Sequence, residues 1–193
     1  MKTSVFVGVS VDGFLARANG TLDFLDAAGS ESHGYEEFIA TVDTIVMGRK
    51  TFEIVMGFGS WPYGERRVVI LSRQPIDLSA ASARGGRVER MSGPPVHIAS
   101  RLSAEGARHV YVDGGVTIQD FLRAGLIQRL VINRVPVLIG SGIPLFGALP
   151  QDVSLHHVAT RAFRGGLVQS EYEVSAQQAG AAADARDDAR TAD

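Results

Sequence analysis

The sequence predicts an α/β fold with a mostly parallel central sheet and an antiparallel C-terminal hairpin. Two observations lead there. Short apolar runs of strand type alternate with segments of helical periodicity through most of the chain, which is the order that parallel crossovers require. Near the end, Leu155 to Phe163 and Leu167 to Val174 flank Arg164-Gly165-Gly166, a glycine-containing hairpin signal.

Val5, Val7 and Val9 alternate with Phe6, Gly8 and Ser10, which fits a buried first strand, and Asp12-Gly13 turns the chain. The opening MKTSVFVGVSVDG therefore reads as a strand and not as a signal segment. Gly34 to Val42 carries Tyr35, Phe38, Ile39 and Val42 at helical spacing, with Glu36 and Glu37 on the opposite face. Thr44 to Met47 is a strand, Thr51 to Val55 a short helix, and Arg67 to Leu71 the next strand. Ile76 to Arg87 is weakly patterned and reads as a surface connection, with a short strand near Val88. A helix follows over Pro95 to Ala104, then a strand over Val110 to Val112, then a helix over Val116 to Ala124 stopped by Gly125. Arg129 to Leu138 is a long strand broken at Pro136. The domain ends near residue 175; residues 176–193 hold no large apolar side chain and read as a disordered tail or frayed helix.

Composition narrows the function classes. The chain has 193 residues, 45% of them hydrophobic, enough for one well-cored domain and short for two. Its net charge of -2 offers no general attraction to nucleic acid or to an anionic membrane. With no cysteine, disulfides, thiolate catalysis and cysteine-ligated metals are excluded. No apolar run approaches the roughly 18 to 20 residues of a membrane helix, so a soluble, cytoplasmic protein is expected. The pair His156-His157 would point to opposite faces of a strand, and no metal site is expected.

Three strand ends carry groups suited to phosphate. The run IVMGRKTF places Gly48, Arg49, Lys50 and Thr51 where a strand enters a helix, and the free amides of that first turn attract anions. VVILSR ends a second strand at Leu71 and presents Ser72 and Arg73; a planar guanidinium with a hydroxyl suits a phosphate monoester. YVDGG ends a third in Asp113-Gly114-Gly115, with Val116 and Thr117 opening a helix. The plain alternatives are a solvated Arg-Lys turn, an exposed strand-end arginine and a tight glycine turn. Together the three suggest a nucleotide laid along one edge of a sheet.

These pieces, with SVDGFLA (Ser10 to Ala16), WPYGERR (Trp61 to Arg67) and LIGSGIPLFG (Leu138 to Gly147), resemble the dihydrofolate reductase superfamily. They resemble most its branch related to the C-terminal reductase domain of the riboflavin-biosynthesis deaminase-reductase, over Lys2 to Val174. The resemblance implies a three-layer α/β/α dihydrofolate reductase-like fold, NADPH as hydride donor and a homodimer; the apolar strand Leu130 to Val137 adds a reason to expect subunit pairing. Under it, Gly48 to Thr51 and Gly114 to Thr117 would hold the cofactor phosphates, and Ser72 and Arg73 the 2′-phosphate. Asp12 and Gly13 would lie beside the nicotinamide and substrate, and Asp113 would face the substrate with a side chain one methylene shorter than the usual glutamate. Asp12 and Asp113 are thus the candidate proton donors, although each also suits a hydrogen-bonded turn or strand-end carboxylate. Asp23 can reach the cleft or serve as a loop charge, and Phe38 and Trp61, with Phe58, can wall a substrate pocket or pack the core.

One departure stands out. Dihydrofolate reductases carry a pterin-facing carboxylate on the helix before the IVMGR strand, and His33 to Phe38 supplies no such acid. The expected function is therefore reduction of a small heterocyclic or sugar-linked substrate by NADPH. Two alternatives stay open: reduction of the phosphoribosylaminouracil of riboflavin synthesis, and a non-catalytic NADPH-binding module. The first would call for a basic cluster for the substrate phosphate, with Arg17, Arg66 and Arg67 as candidates, and the chain reads as lacking the deaminase domain usual for that pathway.

Overall fold

The structure, a computed structural model, describes residues 1–29 and 31–175; the tail expected over residues 176–193 lies outside them. The chain runs β1 (Lys2–Ser10), β2 (Phe14–Ala16), a 3-10 helix (Asp23–Ala28), α1 (Tyr35–Ala40), β3 (Thr44–Gly48), α2 (Arg49–Met56) and β4 (Arg67–Leu71). It continues through α3 (Ser79–Ala83), β5 (Arg87–Met91), α4 (Pro95–Ala104), β6 (His109–Asp113), α5 (Gly115–Arg123) and β7 (Arg129–Val135). It ends in β8 (Ile143–Pro144), β9 (Leu155–Ala162) and β10 (Val168–Val174).

Eight strands form one sheet in the order β5-β4-β3-β6-β1-β7-β10-β9. Pairing is parallel from β5 to β7, and β10 and β9 add antiparallel at the far side. The period of two along each strand builds the layers. Val46, Val69, Val110 and Val112 face one side, where Ile98 and Leu102 of α4 and Ile118, Phe121 and Leu122 of α5 cover them. Ile45, Met47, Ile70 and Tyr111 face the other, under Phe38 of α1, Phe52 and Val55 of α2, and Ala81 of α3. The three-layer α/β/α fold with its antiparallel hairpin is as the sequence predicts.

Three local readings need correction. The weakly patterned stretch before β5 contains a short helix, α3, because Ala81 has a wholly buried place to fill in the second core. Phe14–Ala16 and Ile143–Pro144 pair as a small second sheet, too short for a sequence pattern to mark. The apolar character of β7 is spent inside the chain: it is paired on both edges, with β1 and β10, and Leu130, Val131, Ile132 and Val135 are buried there. That strand therefore gives no argument for subunit pairing. Among the described residues no helix is long and apolar enough to cross a membrane.

Phe121 has no exposed surface and sits between α5 and the sheet. Phe121→Ala should lower the free energy of unfolding by about 3 to 5 kcal/mol, read from urea denaturation. A loss below about 1 kcal/mol would mean that this face is not the packed core.

Candidate active-site cleft

Because β4, β3, β6 and β1 run parallel, their C-terminal ends lie on one edge of the sheet, and a cleft of about 960 Å³ opens there. It is lined by Gly48, Arg49, Lys50 and Thr51 from the β3–α2 turn, by Leu71, Ser72 and Arg73 after β4, and by Asp113, Gly114, Gly115, Val116 and Thr117 from the β6–α5 turn. Three separate sequence motifs are thereby brought around one groove. A further strand end joins them. Ser92, Gly93 and Pro94, between β5 and α4, and Pro95, the first residue of α4, complete the wall. Sequence reasoning passed over this segment because β5 has little apolar patterning, although Gly93-Pro94-Pro95 after it is a turn and helix-start signal.

The two glycine turns close on each other. Gly114 adopts φ +88, and a Cβ there would stand 2.2 Å from Thr51 Oγ1. A Cβ on Gly48 would stand 3.1 Å from Thr117 Oγ1. Neither α2 nor α5 has a side-chain cap at its N-terminus, so their first amides keep their hydrogens for a ligand at the cleft. Arg49 is paired with Glu53 at 3.0 Å through exposed side chains, a weak constraint. Among the described residues, Lys50 and Arg73 form no ion pair. Ser72 is turned into its own loop, its hydroxyl donating to the Gln74 carbonyl at 2.8 Å. Uncapped amides, cations and backbone without side chains are a donor set that fits a dinucleotide with an added phosphate.

Asp113 is half-buried at the end of β6, in the cleft. Burial pushes its carboxyl up to about 6, against the Gly114 amide and the nearby Tyr111 hydroxyl, which both favour the anion. The Gly114 amide donates to Asp113 Oδ1 at 2.8 Å, whereas the Tyr111 hydroxyl hydrogen is directed at the Phe6 carbonyl, 2.9 Å away. The amide is thus the engaged partner. Burial and the Asp113 charge push the Tyr63 and Tyr111 hydroxyls up as well, so both stay protonated.

Of the other sequence candidates the cleft includes Phe58 but not Asp12, Gly13, Asp23, Phe38 or Trp61. Asp12 is exposed and accepts from the Gly140 amide at 2.7 Å and the Ile139 amide at 3.3 Å, pinning the loop after β7. The Ser10 hydroxyl foremost, with these amides, holds its carboxyl below the usual range, which suits a turn aspartate and not a proton donor. Gly13 spends its carbonyl on the Leu145 amide. Asp23 is clamped by Arg17 at 2.7 Å. Phe38 is buried in the second core, stacked on Phe6 with centroids 5.0 Å apart. Trp61 donates to the Gly64 carbonyl at 3.2 Å and packs edge-on against Tyr63. The aromatic rings that do line the cleft are Phe6, Phe58, Tyr63 and Tyr111. Phe58 was a sequence candidate, whereas Tyr63, two residues from Trp61, was not; a helical or strand pattern cannot say which side of an irregular loop turns inward.

A family profile described as the RibD C-terminal domain matches residues 2–169. The chain belongs to that family. RibD-type reductase domains fall within the dihydrofolate reductase-like superfamily, as the sequence motifs indicate. Among its relatives, the uncharacterised Bacillus subtilis protein YwjB is 32% identical over 174 residues, covering 89% of this chain and 97% of YwjB. The riboflavin biosynthesis protein RibD of Corynebacterium ammoniagenes is 31% identical over 146 residues, 69% of this chain but 42% of that protein. A crystal structure from Shewanella sp. PV-4, provisionally assigned to riboflavin biosynthesis, superposes with a TM-score of 0.82 at 34% identity, over 91% of this chain and 99% of that one. The Thermotoga maritima deaminase/reductase, at 14% identity and TM-score 0.72 over 90% of this chain and 56% of that one, shares the fold.

A carboxyl whose folded-state value lies above its ordinary one favours the fold when protonated, and that contribution is lost as pH rises through about 6. Asp113→Asn should therefore be more stable than the parent above pH 7, by about 1 to 2 kcal/mol, with the gap closing as pH falls toward 4. Thermal melts across that range read it; a gap independent of pH would show that Asp113 is not desolvated.

Proposed function

We propose that this chain is an NADPH-dependent oxidoreductase that transfers a hydride to a small heterocyclic or sugar-linked substrate. The observation that carries the reading is the convergence of the β3, β4 and β6 turns, with Arg49, Lys50 and Arg73 beside uncapped helix amides, on one cleft that also holds a carboxyl of raised pKa. The membership in the RibD C-terminal family supports it.

On this reading Arg73, with Ser72 once its hydroxyl swings from Gln74, takes the 2′-phosphate, and Arg49 and Lys50 neutralise phosphate charge at the head of α2. Gly114 to Thr117 hold the pyrophosphate against the first turn of α5. When bound, the nicotinamide supplies the hydride. The protein's share is positioning and proton supply. Asp113 is the acid: with its carboxyl pushed up to about 6 it carries a proton in a useful fraction of molecules near neutrality. The same reading takes the enzyme as a cytoplasmic homodimer, on the resemblance alone; a light-scattering mass near that of one 20.6 kDa chain at micromolar concentration would discard the dimer.

The second reading is the riboflavin-pathway reduction of phosphoribosylaminouracil, favoured by the similarity to RibD. Its three sequence candidates for the substrate phosphate are all engaged elsewhere. Arg17 is held by Asp23, Arg66 donates to the Ile39, Val42 and Tyr63 carbonyls, and Arg67 pairs with Glu89 and Glu105 at the opposite end of β4.

Titration followed by nicotinamide fluorescence tests the main reading. NADPH should bind at least tenfold more tightly than NADH, and Arg73→Ala should weaken NADPH by about 1.5 to 3 kcal/mol while leaving NADH nearly unchanged. Equal, millimolar affinity for both would remove the assignment.

A further inference from the structure

The cations that line the cleft are not spread along it. Among the described residues its lining cations are Arg49, Lys50 and Arg73, all on the β3 and β4 turns. Strand order places β6 next and β1 beyond it, so the β1 side lies about 10 Å from β3 and about 14 Å from β4, at about 4.8 Å per strand. That side is apolar. Phe6 and Val7 come from β1, Leu15 from β2, Leu22 and Leu25 from the 3-10 helix segment, and Ile143 from β8. Leu25 lies directly over Gly8, where a Cβ would stand 2.8 Å from its Cδ2. Asp113, at the end of β6, separates the two halves, and among the described residues the Tyr63 hydroxyl has no hydrogen-bond partner. Arg17, one residue beyond Ala16 and itself outside the lining, shares its Nε between both Asp23 oxygens at 2.7 and 3.0 Å in an exposed pair.

We propose that the β1 half of the cleft selects an uncharged, planar N-heterocycle carrying no phosphate, read by the Asp113 carboxyl and the Tyr63 hydroxyl against apolar walls. This rests on the reading of the β3–β4 half as the NADPH site. A phosphate in the β1 half would lose its water among leucine and phenylalanine side chains with no lining cation among the described residues to replace it, and would face the Asp113 charge. An uncharged ring with adjacent donor and acceptor atoms meets neither penalty, and the lining by Phe6, Tyr63 and Tyr111 suits an aromatic ligand. The arrangement separates this chain from an enzyme built for a phosphoribosyl substrate.

The experiment uses matched pairs that differ in one phosphate: 5-amino-6-ribosylaminouracil with and without its 5′-phosphate, and 7,8-dihydroneopterin with and without its monophosphate. Each is titrated calorimetrically into full-length protein already saturated with NADP+, whose own binding is measured first. Loss of NADP+ binding would strike the cofactor reading and is seen before any heterocycle is added. The expected result is that at least one unphosphorylated member binds, at least tenfold more tightly than its phosphorylated partner. Leu22→Arg, checked for retained NADP+ affinity, should narrow or reverse that ratio by supplying the missing cation. Phosphorylated members binding as tightly as, or more tightly than, their partners would overturn the proposal, as would failure of both unphosphorylated members to bind.

Discussion

Parallel pairing from β5 to β7 delivers every strand-to-helix turn in that part of the chain to the same edge of the sheet, and the site depends on this. A helix that follows a parallel strand must begin at the strand's C-terminal end, so its unpaired amides face the edge where its neighbours also begin. The turns after β3, β4, β5 and β6 therefore share one groove without any contact having been arranged for that purpose. Gly48 and Gly114 allow the closeness: a Cβ on Gly114 would strike Thr51, so the two helix starts could not approach as they do.

The electrostatic character of the groove follows from what ends each strand. Cations sit on β3 and β4, a half-buried carboxyl on β6, and apolar side chains on β1 and the segments beside it. Because burial raises the Asp113 carboxyl to about 6, the boundary between the halves is itself a group that can hold or release a proton near neutral pH. Cations, a carboxyl of raised pKa and apolar side chains are thus laid out in strand order across the sheet.

Much of this was legible in the chain. The α/β alternation and the terminal hairpin followed from periodicities that burial imposes, and the helix and strand positions agree because nearly all carry a clear apolar face. That the residues of the β3, β4 and β6 turns share one cleft was legible for a related reason. Strand ends rich in glycine, cations and hydroxyls have a fixed place in a parallel sheet, so Arg49, Arg73 and Gly114 meet in space although far apart in sequence. Residues in irregular segments were not legible. Asp12 and Asp23 had the chemistry of a site, but local hydrogen bonds to Gly140 and Arg17 turn them elsewhere. Tyr63 and Leu22 line the cleft from irregular segments, and Leu25 from a 3-10 helix, that no period announces, and Phe38 was drawn into the core by Phe6 and Tyr111.

The central claim is that one ledge of strand ends cradles the phosphates of a dinucleotide. A crystal structure of the protein soaked with NADP+ tests it most directly. The account predicts the pyrophosphate against the Gly114–Thr117 turn, the 2′-phosphate within reach of Arg73, and the nicotinamide ring beside Asp113. Density for the nucleotide on another face, or a groove left empty at saturating NADP+, would contradict it.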